Sequence, residues 1–252
     1  MRRHVPALAA LATSLLMASC AAGPVGAKEK TGMSATMKDS SRIPFHDPAI
    51  VPMAQAIQHG DIARIRALAG STDLAAHGED NVTLLEWAIW TEQPEALAAL
   101  LESGADARLL GMDQETVAHM AAMVEPPEHL RVLIAHKAPV DIVSPRGGRT
   151  PVFSAVQSGR APQLEMLIEA GVDLNRKDSM GNTLLHEAAS ANNGKALLRL
   201  LEAGVDPRAV NAQGVTFQCY FFMTRERLLN AQGKQERAAV EAWLTQHGVA
   251  RE

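Results

Sequence analysis

The sequence predicts an all-α solenoid of about six helix-turn-helix repeats joined by short β-turn connectors, and three observations carry that expectation. Thr83, Thr116, Thr150, Thr183 and Thr216 recur at spacings of 33, 34, 33 and 33 residues. An apolar pair follows each of the first four by 17 residues, as Leu100-Leu101, Leu133-Ile134, Leu167-Ile168 and Leu200-Leu201. A turn signal then closes each unit, as Gly104-Ala105-Asp106, Lys137-Ala138-Pro139, Gly171-Val172-Asp173 and Gly204-Val205-Asp206. A period of this length marks a stack of structural repeats, each too small to bury its apolar face alone.

The elements follow in order. After each threonine a first helix is expected, beginning Thr83-Leu84-Leu85-Glu86-Trp87-Ala88, Thr116-Val117-Ala118-His119-Met120-Ala121, Thr150-Pro151-Val152-Phe153-Ser154-Ala155, Thr183-Leu184-Leu185-His186-Glu187-Ala188 and Thr216-Phe217-Gln218-Cys219-Tyr220-Phe221. Small alanines let these helices pack closely on their neighbours. Pro94, Pro127 and Pro162 fall near the start of the second helices, where a missing N–H costs little. The apolar pair lies on the buried face of the second helix, and the Gly or Lys beyond it suits the left-handed residue that ends a helix. A degenerate first repeat spans about 51–82, with Ala56-Ile57 and Gly60-Asp61 in the places of the later alanines and inter-helix turn.

These residues resemble the ankyrin repeat, whose signature is T-P-L-H-x-A-A, a two-leucine second helix and a G-A-D turn. The resemblance covers about 51–249 and implies a protein-binding module without catalytic activity. It also implies that His119 and His186 are structural, with imidazoles hydrogen-bonded inside the turn.

The domain plan is residues 1–19 as a signal peptide, 20–47 as a flexible tether and 48–252 as the repeat domain. Arg2 and Arg3 precede an apolar stretch from Val5 to Ala18, too short to span a bilayer comfortably. Leu16-Met17-Ala18-Ser19-Cys20 resembles a bacterial lipobox, which implies lipidation at Cys20, and Ala21 after it resembles lipoproteins sorted to the outer membrane. Cleavage after Val25-Gly26-Ala27 is the alternative and gives a soluble periplasmic protein. A tether of about 25 residues reaches about 25–30 Å. With Cys20 acylated, Cys219 is the only cysteine left, at the histidine position of the last repeat and expected in the core.

Chemistry motifs are sparse. The sequence holds no G-x-S-x-G, H-E-x-x-H, C-x-x-C or P-loop, and His186-Glu187 is followed by Ser190 where a zinc site needs a second histidine. No catalytic residue, metal site or cofactor is therefore assigned. The formal charge is −4 and becomes −6 without the two arginines of residues 1–19, which argues against nucleic acid as a partner. Membrane contact is expected by the lipid anchor alone, and the domain is expected to be a monomer.

Positions four and seven after each threonine are expected to face the concave groove. Trp87, Trp90, Met120 and Met123, with Val124 beside them, then form an apolar patch on two adjacent repeats, and Tyr220 and Met223 occupy the same positions in the last one. Exposed tryptophan and methionine suit a partner-binding surface; a tether folded back over the patch, or burial by local helix packing, is the alternative. The last unit runs 44 residues from Gly204 to Gly248 against 33 from Gly171 to Gly204, so about eleven residues are added within Arg225 to Glu236, as a cap or a contact site. Exported bacterial ankyrin proteins that the chain resembles include immunity proteins that neutralise antibacterial lipase effectors. Others are associated with catalase and oxidative-stress resistance, which leaves a periplasmic scaffold or protective factor as the second reading.

Overall fold

Each ladder threonine sits in extended backbone at the threshold of a helix, with φ between −84° and −110° and ψ between 163° and 173°. In that conformation the side chain and the backbone N–H both reach the first turn, so threonine fits the N-cap position. The computed structural model describes residues 42–252. These hold twelve α-helices in six pairs: α1 (Val51–Gln58) with α2 (Ile62–Ala69), α3 (Leu84–Trp90) with α4 (Pro94–Glu102), α5 (Val117–Met123) with α6 (Glu128–Ala135), α7 (Pro151–Gln157) with α8 (Ala161–Glu169), α9 (Leu184–Ser190) with α10 (Gly194–Glu202), and α11 (Phe217–Phe221) with α12 (Ala231–Gln246). The odd-numbered helices pack in a row on one another, and the second helices pack behind them.

The core is built from the residues that set the period. Leu84, Leu97, Leu100, Leu133, Leu167, Leu184 and Leu200 are fully buried, and so are Ala88, Ala118, Ala121, Ala155 and Ala188, where the first helices approach. The second helices end as the turn signal predicts. Gly104, Gly171, Gly204 and Gly248 have φ between +64° and +96°, and Lys137 adopts the same left-handed form at +56°. Between repeats the chain folds into a finger closed by one backbone hydrogen bond. The donors are the N–H groups of Gly78, Gly111, Ser144, Asp178 and Asn211, and the acceptors are the carbonyls of Val82, Glu115, Arg149, Asn182 and Val215.

The residue three beyond the threonine ties one repeat to the next. Thr116 N–H donates to His119 Nδ1 at 3.2 Å, which leaves the ring proton on Nε2, and Nε2 donates to the Arg149 carbonyl at 3.1 Å. His186 repeats the arrangement from Thr183 to the Val215 carbonyl. Burial pushes both imidazoles below the ordinary histidine range, which keeps them neutral. In the first full repeat a carboxylate stands in this place. Glu86 accepts from Thr83 N–H at 2.8 Å and from Thr83 Oγ1 at 3.1 Å, and Met112 N–H donates to it at 3.2 Å. A Cβ on Gly111 would lie 1.9 Å from Glu86 Oε2, so this finger carries glycine where others carry Ser144, Asp178 and Asn211.

One boundary and one burial assignment differ from the sequence expectation. The tether to position 47 is too long: Phe45 is buried, Pro44 O accepts from Glu79 N–H at 2.8 Å, and Arg42 and His46 both pair with Glu79. Apolar burial of Phe45 fixes this stretch against the first finger. The signal peptide, Cys20 and the rest of the tether lie outside the described residues. Cys219 is not a core thiol either. The five-residue α11 turns it to a half-buried position. The added length of the last repeat is a loop after Phe221, containing a 3-10 turn at Glu226–Leu228, and the opening turns of the 16-residue α12.

Glu86 sets a pH dependence with a definite sign. Its carboxyl is raised to about 7 from 4.5, first by burial and further by the Glu115 charge, against the pull of its hydrogen bonds. The folded state therefore holds a proton that the unfolded state releases. The associated stability is complete below pH 4.5 and lost as pH rises through 7, a change on the order of 3 kcal/mol. The expected result for Glu86→Gln is a stability relative to wild type that climbs from pH 5 to pH 8 in urea melts; a pH-independent difference would show that Glu86 titrates as it does in water. The neutral histidines add the opposite slope, below pH 6.5, in both proteins alike.

Candidate protein-binding groove

The seven-residue first helices present a narrower face to water than two positions per repeat. Position four turns back onto the preceding helix. Trp87 is 1% exposed, and its Nε1–H donates to the Ala54 carbonyl of α1 at 3.0 Å. Met120 is 5% exposed on α5, and Ser154 is buried in the same row. Trp87 and Met120 are thus placed in the joints between repeats and not on an open groove. The cause is the close approach of the first helices: the alanines between them leave a large side chain at position four lying across the seam.

Position seven is the row that meets solvent. It reads Gln58, Trp90, Met123, Gln157, Ser190 and Met223, with Trp90 half-buried, Met123 39% exposed and Met223 53% exposed. Val124 is half-buried beside Met123, in extended backbone where α5 stops. Arg160 Nε donates to the Met123 carbonyl at 2.9 Å and Gln163 Nε2 to the Val124 carbonyl at 2.5 Å, so this end of α5 is firmly held. Tyr220 is half-buried and polar in its contacts. Its hydroxyl donates to Gln213 Oε1 at 2.7 Å and accepts from Asn211 Nδ2 at 3.0 Å, while its ring lies edge-on to His186. It braces the last finger more than it offers a free apolar face.

Of the residues read from the sequence, Trp90, Met123 and Val124 keep exposure at the ends of α3 and α5, which pack on one another. Met223 stands apart, beside the loop of the last repeat. Sequence reasoning missed the fingers' own apolar tips. Val143, Met180 and Val210 are exposed on three successive connectors, and Val143 and Val210 occupy one finger position, shared with Lys177, whose Nζ donates to the Val210 carbonyl at 2.8 Å. The recurrence of valine at this finger position ahead of Thr150 and Thr216 was the available signal. Between these tips and the helix row, Arg149 pairs with Glu187, lies 5.5 Å from the Phe153 ring centre and donates to Gln157 Oε1. Among the described residues no group of three His, Cys, Asp or Glu side chains could hold a metal, and no helix is long and apolar enough to cross a membrane.

The two tryptophans should separate cleanly in mutagenesis. Trp87→Ala removes a buried ring and leaves the Ala54 carbonyl without its donor, and is expected to cost about 3–5 kcal/mol in denaturant unfolding. Trp90→Ala should cost less than about 1.5 kcal/mol. Equal losses would contradict the assignment of one to the joint and the other to the surface.

Comparison with known proteins agrees with this architecture. A family model of ankyrin repeats, three copies, matches residues 118–211. Protein PhlB of Serratia liquefaciens is 38% identical over 149 residues, 59% of this chain and 66% of PhlB. Human neurogenic locus notch homolog protein 1 is 29% identical over 194 residues, 77% of this chain but 7% of its own length. The chain thus spans just under two thirds of the first of these relatives and a small part of the second. The crystal structure of an ankyrin repeat domain from Acinetobacter baumannii AYE superposes with a TM-score of 0.64 at 26% identity, covering 79% of this chain and 98% of that one. A second crystal structure of an ankyrin repeat protein gives the same TM-score at 21% identity and shares the fold. The threonine ladder, the six helix pairs and these matches agree: the chain has the ankyrin-repeat fold, and ankyrin repeats serve as protein-protein interaction modules.

Proposed function

We propose that the chain is a non-enzymatic binding protein of the bacterial envelope that holds one protein partner along its position-seven row and finger tips, and that it acts as an immunity protein against a secreted lipase-type effector. One observation carries the binding reading: Trp90, Met123 and Val124, at the ends of two helices that pack on one another, keep apolar surface toward water. Tryptophan at such a site supplies a large rigid contact, and methionine adapts to the partner's shape. The exposed Val143, Met180 and Val210 extend the surface along the fingers.

The envelope setting rests on the leader and on Leu16-Met17-Ala18-Ser19-Cys20. In this reading the mature protein is a monomer anchored to the outer membrane by acylated Cys20, with no nucleic-acid partner and no cofactor. Cleavage after Ala27 and release as a soluble periplasmic protein is the alternative. A clickable palmitate label tests the anchor at Cys20. The label should be incorporated by the wild type and lost in Cys20→Ala.

The functional test is inhibition. A competitor's purified lipase effector should lose activity at near-equimolar chain, and Trp90→Ala should weaken the complex by about 30-fold, or about 2 kcal/mol, while the protein remains folded. Full lipase activity in the presence of the wild type overturns the immunity role. Retention of a resident catalase by the wild type but not by Trp90→Ala would instead support the scaffold reading.

A further inference from the structure

The loop and long helix added to the last repeat border a cavity of about 330 Å³, lined also by Arg251 near the C-terminus. Four of its lining side chains are cations, Arg225, Lys234, Arg237 and Arg251, against the two acids Glu226 and Glu241. One acid is already engaged, because Arg251 Nη1 donates to Glu241 Oε1 at 2.9 Å. Arg251 also lies 4.5 Å from the Phe222 ring centre, which holds its guanidinium in place.

Arg237 is the unusual member. It is 7% exposed, and its Nη2 donates to the Phe221 carbonyl at 3.0 Å. The rings of Phe221 and Phe222 face its guanidinium at 5.9 and 5.6 Å. Its Nε is buried without a hydrogen-bond partner, and among the described residues no carboxylate stands within 4.0 Å of it. A buried guanidinium lacking a counter-charge costs several kcal/mol, and an anion from outside the chain offsets that cost. The repeat itself does not require this arginine, since among the described residues the other second helices bury none.

We propose that this cavity is a binding site for a phosphate monoester. The lining carries a formal excess of two positive charges, which a carboxylate cannot balance and a phosphomonoester, at about −1.5 to −2, does. Met223 at the rim leaves an apolar contact for the organic part of the ester. Two sources share this chemistry: a soluble phosphate ester and the phosphomonoester headgroup of a lipid.

Calorimetric titration of the full chain with inorganic phosphate, followed by vesicles of phosphatidic acid or of phosphatidylcholine alone, tests the site. Saturable phosphate binding is expected, weakened at least about tenfold by Arg237→Gln and similarly by the exposed pair Arg225→Gln/Lys234→Gln, which loses no packing. Trp90→Ala should leave it unchanged, so the site stands or falls apart from the groove. Binding to phosphatidic acid vesicles that phosphate displaces identifies the lipid source; phosphate binding without vesicle binding identifies the soluble one. No saturable binding at millimolar phosphate, or equal affinity in the wild type and the exposed double variant, overturns the proposal. So does an oligoglutamate peptide that binds the chain and is not displaced by phosphate.

Discussion

The structure depends on a link between the capping threonines Thr83, Thr116 and Thr183 and the finger of the following repeat. The side chain three residues on from the threonine accepts the threonine's own N–H and reaches a backbone group about 30 positions further along. It thereby satisfies the start of one helix and fixes the distance to the next unit in a single set of bonds. Helix N-termini leave several donors orphaned, and in a buried seam water cannot satisfy them. An array bound this way is held by nearest-neighbour contacts, so its cohesion is the sum of its joints.

The joints are not equal. Histidine serves two of them, carboxylate one, and at Thr150 the place is taken by Phe153, which makes no such bond. Thr150 Oγ1 is consequently buried without a partner. Here the link passes to other groups: Arg149 pairs with Glu187, and Ser179 N–H donates to the Gly147 carbonyl at 2.8 Å. Gly148 has a positive φ, and a Cβ there would stand 3.1 Å from Ser179 N, so the Gly147-Gly148 finger is shaped by this alternative contact. The different chemistry of neighbouring joints gives a regular backbone locally distinct stability.

Much of this was legible in the sequence because a repeat is read several times over. The threonines, the apolar pairs and the left-handed turn residues each recur, so accidents cancel, and Lys137 could be placed where glycine is usual. The assignment of His119 and His186 to structure came from the same recurrence. Legibility failed where position in the repeat had to be converted into direction in space. Trp87 and Trp90 are one turn apart, yet a small rotation of a seven-residue helix sends one into the seam and leaves the other at the surface. Glu86 was invisible as a buried carboxylate because glutamate is ordinarily solvated; its burial follows from the space left by Gly111, a relation between residues 25 apart. Cys219 was misplaced because the last first-helix is cut short.

The ends of the stack have a consequence of their own. Gln218 Nε2 donates to the Ala250 carbonyl at 3.0 Å, Glu252 N–H donates back to Gln218 Oε1 at 3.3 Å, and Thr216 Oγ1 donates to Glu252 Oε2 at 2.7 Å. The last residues of the chain lie where the finger of a further repeat would pass, just as Pro44 and Phe45 meet the first finger at the other end. Stacked modules of one kind carry a standing hazard, since the terminal face of one molecule is the natural partner of the opposite face of another. Here both faces are occupied by the molecule's own tails. Covering these faces with residues of the same chain leaves the sides of the stack as its broad open surface.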